Sequence, residues 1–232
     1  MQDVLEQVCA LPADWHVVGS VSDDALRVIA RLAPRDMAHS AETGTGRTTL
    51  LLSHLSADHV VFTINEPGLE DSTSKTRGSS LLNVDTVNFV FGRTQVTVPR
   101  YEFPTPLDLV LIDGPHGFPF PILEYYHFYP HVRPGGLLIV DDVNIPSIRF
   151  LHDFMVKDDM WHLEEIAGNT AFFRRTDAET FDPLGDTWFL QGYNRDAYEA
   201  MIHPPPPPRL LWLRAHAPEW LKRIWRCLRG RS

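Results

Sequence analysis

Five acidic side chains, two glycines and one histidine of this 232-residue chain stand at spacings that could do chemistry. The first group lies in MAHSAETGTGRTTLLL, residues 37–52, where Glu42 precedes Gly44 by two positions, Gly46 follows, and Leu50-Leu51-Leu52 closes the segment. Glycines at a strand-to-helix turn let the backbone approach a ligand and take dihedrals that a Cβ forbids. The third glycine of a dinucleotide fingerprint is missing from Gly44-Thr45-Gly46-Arg47-Thr48-Thr49. An acid beside a pyrophosphate would also repel it. Glu42 instead suits a ligand presenting an ammonium or hydroxyls, such as an adenosyl amino acid, and S-adenosylmethionine is the first candidate. The plainer alternative is a tight turn with no ligand, its Thr48 or Thr49 capping the next helix.

Three further groups follow. Glu66 ends the apolar run His59–Ile64 about 20 residues past the glycines, where nucleoside-binding sheets hold an acid on the ribose hydroxyls. In LDLVLIDGPHG, Asp113 and His116 stand just beyond a buried strand; the acid could bind a cation or orient a substrate, and the histidine could act as general base. In RPGGLLIVDDV, the adjacent carboxylates of Asp141 and Asp142 end another such strand. Three oxygen ligands, Asp113, Asp141 and Asp142, with open positions suit Mg²⁺. The plainer alternative for each of these acids is ordinary loop polarity. The aromatics Phe118, Phe120, Tyr125, Tyr126, Phe128 and Tyr129 either line a pocket or pack a helix on the sheet.

Such residues converge only if the elements between them form an open α/β sheet. Near-continuous apolar runs predict strands at Met37–Ala41, Val60–Ile64, Val87–Phe91, Leu107–Ile112 and Gly136–Val140, covered on both faces. His39 and Ser40 make the first of these the least strand-like. Helical stretches are expected at Thr48–Leu55, near Ser79–Leu82, at Ile122–Tyr129 and at Pro146–Val156. Trp161–Ile166 and Thr170–Arg174 flank Ala167-Gly168-Asn169 and read as a closing hairpin. The pattern is a doubly wound sheet with one antiparallel edge pair.

The chain divides into an N-terminal helical segment (1–36, with Ser22-Asp23-Asp24 as a cap), the α/β domain (37–176), an irregular and partly helical extension (177–203), a polyproline linker (204–208) and a tail (209–232). From Arg209 on, seven Lys/Arg face a single Glu, whereas the rest carries 14 basic and 29 acidic groups. In the tail, Trp220, Leu221, Ile224, Trp225 and Leu228 would share one helical face, with Lys222, Arg223, Arg226 and Arg229 opposite. That basic amphipathic run suits an anionic membrane surface, or packing on protein. The net charge of −9 argues against nucleic acid as main partner. Cys9 and Cys227 form no disulfide or metal framework. With no signal-like start and no apolar span of about 20 residues, the expected location is cytoplasmic, with a peripheral membrane position open; a homo-oligomer is also open.

The segments AETGTGRTTLLL (41–52), LDLVLIDGPHG (107–117) and RPGGLLIVDDV (133–143), in this order, resemble class I S-adenosylmethionine-dependent methyltransferases. The likeness is to the small O-methyltransferases grouped with macrocin-type sugar methyltransferases, and more distantly to catechol-type enzymes, over about residues 37–175. It implies a doubly wound, mostly parallel seven-stranded sheet, the Rossmann-like methyltransferase fold, with a C-terminal antiparallel edge hairpin and, here, an appended amphipathic helix. By position, Glu42, Gly44 and Gly46 would form the cofactor loop with Asp113 nearby, Glu66 would hold the ribose, and Asp113, Asp141 and Asp142 would take a metal. Pro115 stands where the family often has Asp, Gly92-Arg93-Thr94-Gln95 lacks the usual acid near adenine, and no catechol-type lysine is present. The implied function is O-methylation of a small-molecule or sugar hydroxyl; the resemblance does not supply the base, for which His116 is the first choice from the residues, with Asp113 as the other catalytic residue. Its rivals are an NAD(P)-linked oxidoreductase and a non-catalytic, membrane-associated methyltransferase-like module.

Overall fold

The computed structural model describes residues 2–12, 15, 19–65, 71–104, 106–182, 185–204 and 216–218. Two helices, α1 (Gln2–Cys9) and α2 (Asp23–Leu32), precede the sheet. The Ser22 hydroxyl accepts the Ala25 N–H at 3.2 Å, and Asp23 and Asp24 occupy the first turn, as the cap pattern predicts. Then follow β1 (Met37–Thr43), α3 (Arg47–Leu55), β2 (Ser56–Thr63), α4 (Asp71–Gly78), β3 (Val87–Phe91), the single turn α5 (Thr94–Thr97), β4 (Leu107–Ile112), α6 (Phe120–Phe128), β5 (Val132–Val140), α7 (Pro146–Lys157), β6 (Trp161–Ala167) and β7 (Thr170–Arg175). The helix between β2 and β3 departs from expectation. It occupies the polar DSTSKTRG, whereas Ser79–Leu82 is a turn whose Leu81 and Leu82 pack against the core.

The seven strands lie in the order β3-β2-β1-β4-β5-β7-β6. The first five are parallel, and β7 pairs antiparallel with both β5 and β6. Gly168, at φ +61°, makes the turn of the closing hairpin. Alternate residues of the central strands feed two cores. Val110, Ile112, Leu138 and Val140 meet Phe62, Phe128 and Phe173 on one face; Leu109, Leu111, Leu137 and Ile139 meet Leu26, Ile29 and Leu50–Leu52 on the other. Burial on both faces explains why these strands read as unbroken apolar runs.

The chain winds from β1 outward to β3, then returns to place β4 on the other side of β1. Connections from the carboxyl ends of β1 and β4 therefore leave in opposite directions and open a crevice between them. Register brings the ends level: Thr43 pairs with Ile112, and Ile112 with Val140. Gly44, Asp113 and Asp141 consequently step off the sheet side by side. The described residues from Asp186 on belong to a second unit, in which Trp188–Leu190 makes a single 3₁₀ turn and α8 spans Gly192–Ile202. The Trp188, Phe189 and Tyr198 rings pack together there. The polyproline linker after Pro204 and nearly all of the tail lie outside the described residues. No helix among the described residues is long and apolar enough to cross a membrane.

Candidate functional site

Two cavities adjoin at the carboxyl edge of the sheet. The larger, about 590 Å³, is lined by Gly44 and Thr45 after β1, Thr63 and Ile64 at the end of β2, Arg93–Gln95 after β3, and Asp113–His116 after β4. The smaller, about 240 Å³, runs from Ser20 and Val21 past Thr45–Thr48 to Asp113, His116, Asp141 and Asp142. Asp113 and His116 border both.

Gly44 has φ +89°, and a Cβ there would overlap the Asp113 carbonyl oxygen. Only glycine lets β1 and β4 close this tightly at their ends. Gly46 has extended backbone, and its N–H donates to the Thr49 hydroxyl at 3.0 Å. Glu42 is completely buried, and its carboxylate accepts from the hydroxyls of Thr48 (2.7 Å) and Thr49. His59 Nε2 is 3.3 Å from the same carboxylate, and the other ring nitrogen is bonded to Ser40 at 2.8 Å. The acid expected to face a ligand thus fastens the glycine turn to β2 and α3, and it borders neither cavity. Glu66 lies outside the described residues.

The acids after β4 and β5 regroup relative to expectation. Asp113, His116 and Asp142 each offer a ligand atom, all within 4.8 Å of one another. His116 Nε2 stands 3.7 Å from Asp113 Oδ1 and 3.4 Å from Asp142 Oδ2; that nitrogen is buried and completes no hydrogen bond. The His116 carbonyl accepts from the Ser147 hydroxyl, which anchors the loop to α7. Asp141 is not part of this group: it is buried, with its carboxylate accepting from Thr170 on the hairpin. Successive side chains diverge at a strand end, and Asp142 bends away at φ +54°, a left-handed conformation that aspartate tolerates. Of the expected trio, Asp113 and Asp142 come together with His116, while Asp141 is turned to the hairpin.

Burial pushes the Asp113 carboxyl up to about 7, against the pull of the neighbouring His116. His116 moves up as well, because Asp113, and then Asp142, favour its charged form. Asp141 is raised by burial, partly offset by the Thr170 hydroxyl. A hollow where protons are retained, beside a donor set of two carboxylates and an imidazole, can exchange those protons for a divalent cation.

Sequence reasoning passed over Glu124. It lies on α6 beneath the larger cavity, and burial raises its carboxyl to about 7 despite the Thr94 and Thr43 hydroxyls beside it. The available signal was a lone acid inside the otherwise apolar and aromatic FPILEYYHF. Of the aromatics nearby, Tyr125 and Phe128 are buried in the core, Phe120 lines the larger cavity, and Phe118 and Tyr126 are exposed.

Residues 41–143 match the family of methyltransferase domains. The matched segment starts on β1 and ends just past Asp142, so it holds the lining of the larger cavity and that of the smaller apart from Gly19, Ser20 and Val21. Over that stretch the chain is similar to a methyltransferase domain. The fold agrees with that of solved methyltransferase structures. An O-methyltransferase from Streptomyces achromogenes involved in tomaymycin synthesis, solved with S-adenosylmethionine, superposes with a TM-score of 0.55 at 18% identity, covering 75% of this chain and 90% of its own. A candidate O-methyltransferase from Klebsiella pneumoniae gives the same values. An rRNA methylase from Streptococcus thermophilus superposes with a TM-score of 0.50 at 13% identity, over 68% of this chain and 100% of its own. Neighbours with such different acceptors establish the methyltransferase fold and leave the acceptor to the site itself. No curated protein matches the chain by sequence. Neither the oxidoreductase nor the non-catalytic reading gains support from these comparisons.

Proposed function

We propose that this methyltransferase binds S-adenosylmethionine in the 590 Å³ cavity and transfers its methyl group to a hydroxyl of a small molecule or sugar held in the 240 Å³ cavity. The carrying observation is that Asp113 and His116 border both hollows, so a methyl donor in one would meet an acceptor in the other at those side chains. Alignment of the reacting atoms supplies much of the acceleration in such a transfer. Gly44 and Thr45 would contact the cofactor directly, with Gly46 holding the turn and Glu42 bracing it from behind. Glu66, just past the end of β2, is assigned to the ribose hydroxyls by its sequence position.

The donor set of Asp113, Asp142 and His116 fits a divalent cation of the Mg²⁺ kind, given its mutual spacing and the unbonded His116 nitrogen. Such an ion would stabilise the alkoxide character of the acceptor. Asp113 has a role at the junction whether or not the ion is bound. His116 serves either as a ligand or as the base, and in the second role it must first lose the proton that the two aspartates favour.

Calorimetric titration with S-adenosylhomocysteine is the direct test. We expect 1:1 binding at micromolar affinity or better, unaffected by NAD(P), and methyl transfer to hydroxylated acceptors that EDTA suppresses. Absence of S-adenosylhomocysteine binding would return the chain to the oxidoreductase or non-catalytic class.

We also propose that residues 209–232 dock on anionic membrane surfaces, with tryptophans at the interface and arginines on headgroups. The full chain should co-sediment with vesicles containing phosphatidylserine and lose this on deletion of 204–232. Equal recovery of both forms would discard the membrane role.

A further inference from the structure

Glu124 is 3% exposed and lies against the end of β1 and the loop after β4, beside the loop after β3, three segments whose Gly44, Gly114 and Thr94 line the larger cavity. The Thr43 hydroxyl donates to Glu124 Oε2 at 2.7 Å and itself accepts the Asp113 N–H at 3.1 Å. One carboxyl thus reaches, through a single hydroxyl, the last residue of β1 and the first residue after β4. Gly114 packs directly on the same carboxyl, so closely that a Cβ would overlap its oxygens. The third segment is the loop after β3. Glu124 shares a 70 Å³ cavity with Thr94 and Gln95, and both of those residues also line the 590 Å³ cavity. Glu124 Oε1 and Thr94 Oγ1 are buried and complete no hydrogen bond of their own.

A buried acid is costly unless something uses it. Packing alone would be better served here by leucine, since Val98, Phe120 and Leu123 border the same small cavity. We propose that Glu124 is a positioning residue for the cofactor: it holds the Thr43, Asp113–Gly114 and Thr94 walls at the separation the nucleoside end requires. This rests on the assignment of the larger cavity to S-adenosylmethionine. It identifies a determinant of cofactor affinity on α6, an element none of whose polar side chains borders that cavity.

The test uses the full chain with S-adenosylhomocysteine as probe, reading Kd by calorimetry and Tm by melting. Glu124→Gln keeps an acceptor for Thr43 and a donor for Thr94, and its Kd should stay within about threefold of wild type. Glu124→Leu fills the space but leaves the Thr43 hydroxyl without its acceptor, and its Kd should weaken at least about tenfold. In steady-state assays the Leu variant's loss should fall on the cofactor KM, with acceptor KM unchanged. A purely structural role would instead make Kd follow Tm in both variants, without selective rescue by Gln. If Glu124→Leu fails to fold, Thr43→Val cuts the same link and should give the same tenfold loss. Wild-type affinity in the Leu variant, or in Thr43→Val where Leu is unfolded, overturns the proposal while leaving the methyltransferase reading intact. A wild-type chain that does not bind the probe overturns both.

Discussion

Gly44→Ala is expected to abolish measurable S-adenosylhomocysteine binding while leaving much of the secondary structure in place. The residue sits at φ +89°, where an L side chain is strained by about 1–3 kcal/mol. Its Cβ would also run into the Asp113 carbonyl oxygen, which is backbone and cannot rotate away. Relief requires the ends of β1 and β4 to part, and those ends are the floor of the larger cavity. If about 3 kcal/mol is taken from binding, affinity falls more than about 100-fold. Gly46→Ala carries no such backbone strain, because Gly46 is extended. Calorimetry and a thermal melt on both variants check this. Binding by Gly44→Ala within threefold of wild type would mean that the cofactor does not sit on this turn.

The second large effect separates chemistry from cofactor binding. Asp142 borders the smaller cavity only, whereas Asp113 borders both. Asp142→Ala should therefore lower kcat/KM for methyl transfer by about 100-fold, near 3 kcal/mol of barrier, with S-adenosylhomocysteine affinity unchanged. Wild-type activity should also depend on pH in a definite direction. Burial holds the Asp113 carboxyl up to about 7, so below that pH it keeps a proton that a metal ion must displace. Activity should fall as pH drops through about 7, and higher Mg²⁺ should carry the falling limb to lower pH. A limb that ignores Mg²⁺, together with an active Asp142→Ala, would remove the cation from the proposal.

Fold class was the most legible part of the sequence, for a physical reason. Parallel strands covered on both faces must be largely apolar, and β4 was readable to the residue from that property; β3, an edge strand with no fully buried residue, was readable from its short apolar run. β1 was harder, since His39 and Ser40 are poor central-strand residues. Its polar Ser40 is tolerated because β2 brings His59 alongside in register, and each satisfies the other's hydrogen bond. No local pattern shows such a pairing. α4 escaped detection for the opposite reason: DSTSKTRG has no apolar periodicity to find.

The site divides along the same line. The sequence by itself determined that glycines, Asp113, His116 and an acid pair would gather at one sheet edge, because strand order and the crossover rule send every strand end there. Tertiary structure alone decided which way each side chain points once it leaves the sheet. Glu42 turns inward to Thr48, Thr49 and His59; Asp141 is taken by Thr170 from the distant hairpin; Asp142 swings over at positive φ to join His116. Glu124 becomes meaningful only when α6 brings it under Thr43, 81 residues away in the chain. Strand periodicity is a local property and can be read residue by residue. The partner that satisfies a buried carboxylate is set by packing between segments far apart in sequence, and that is what the fold adds.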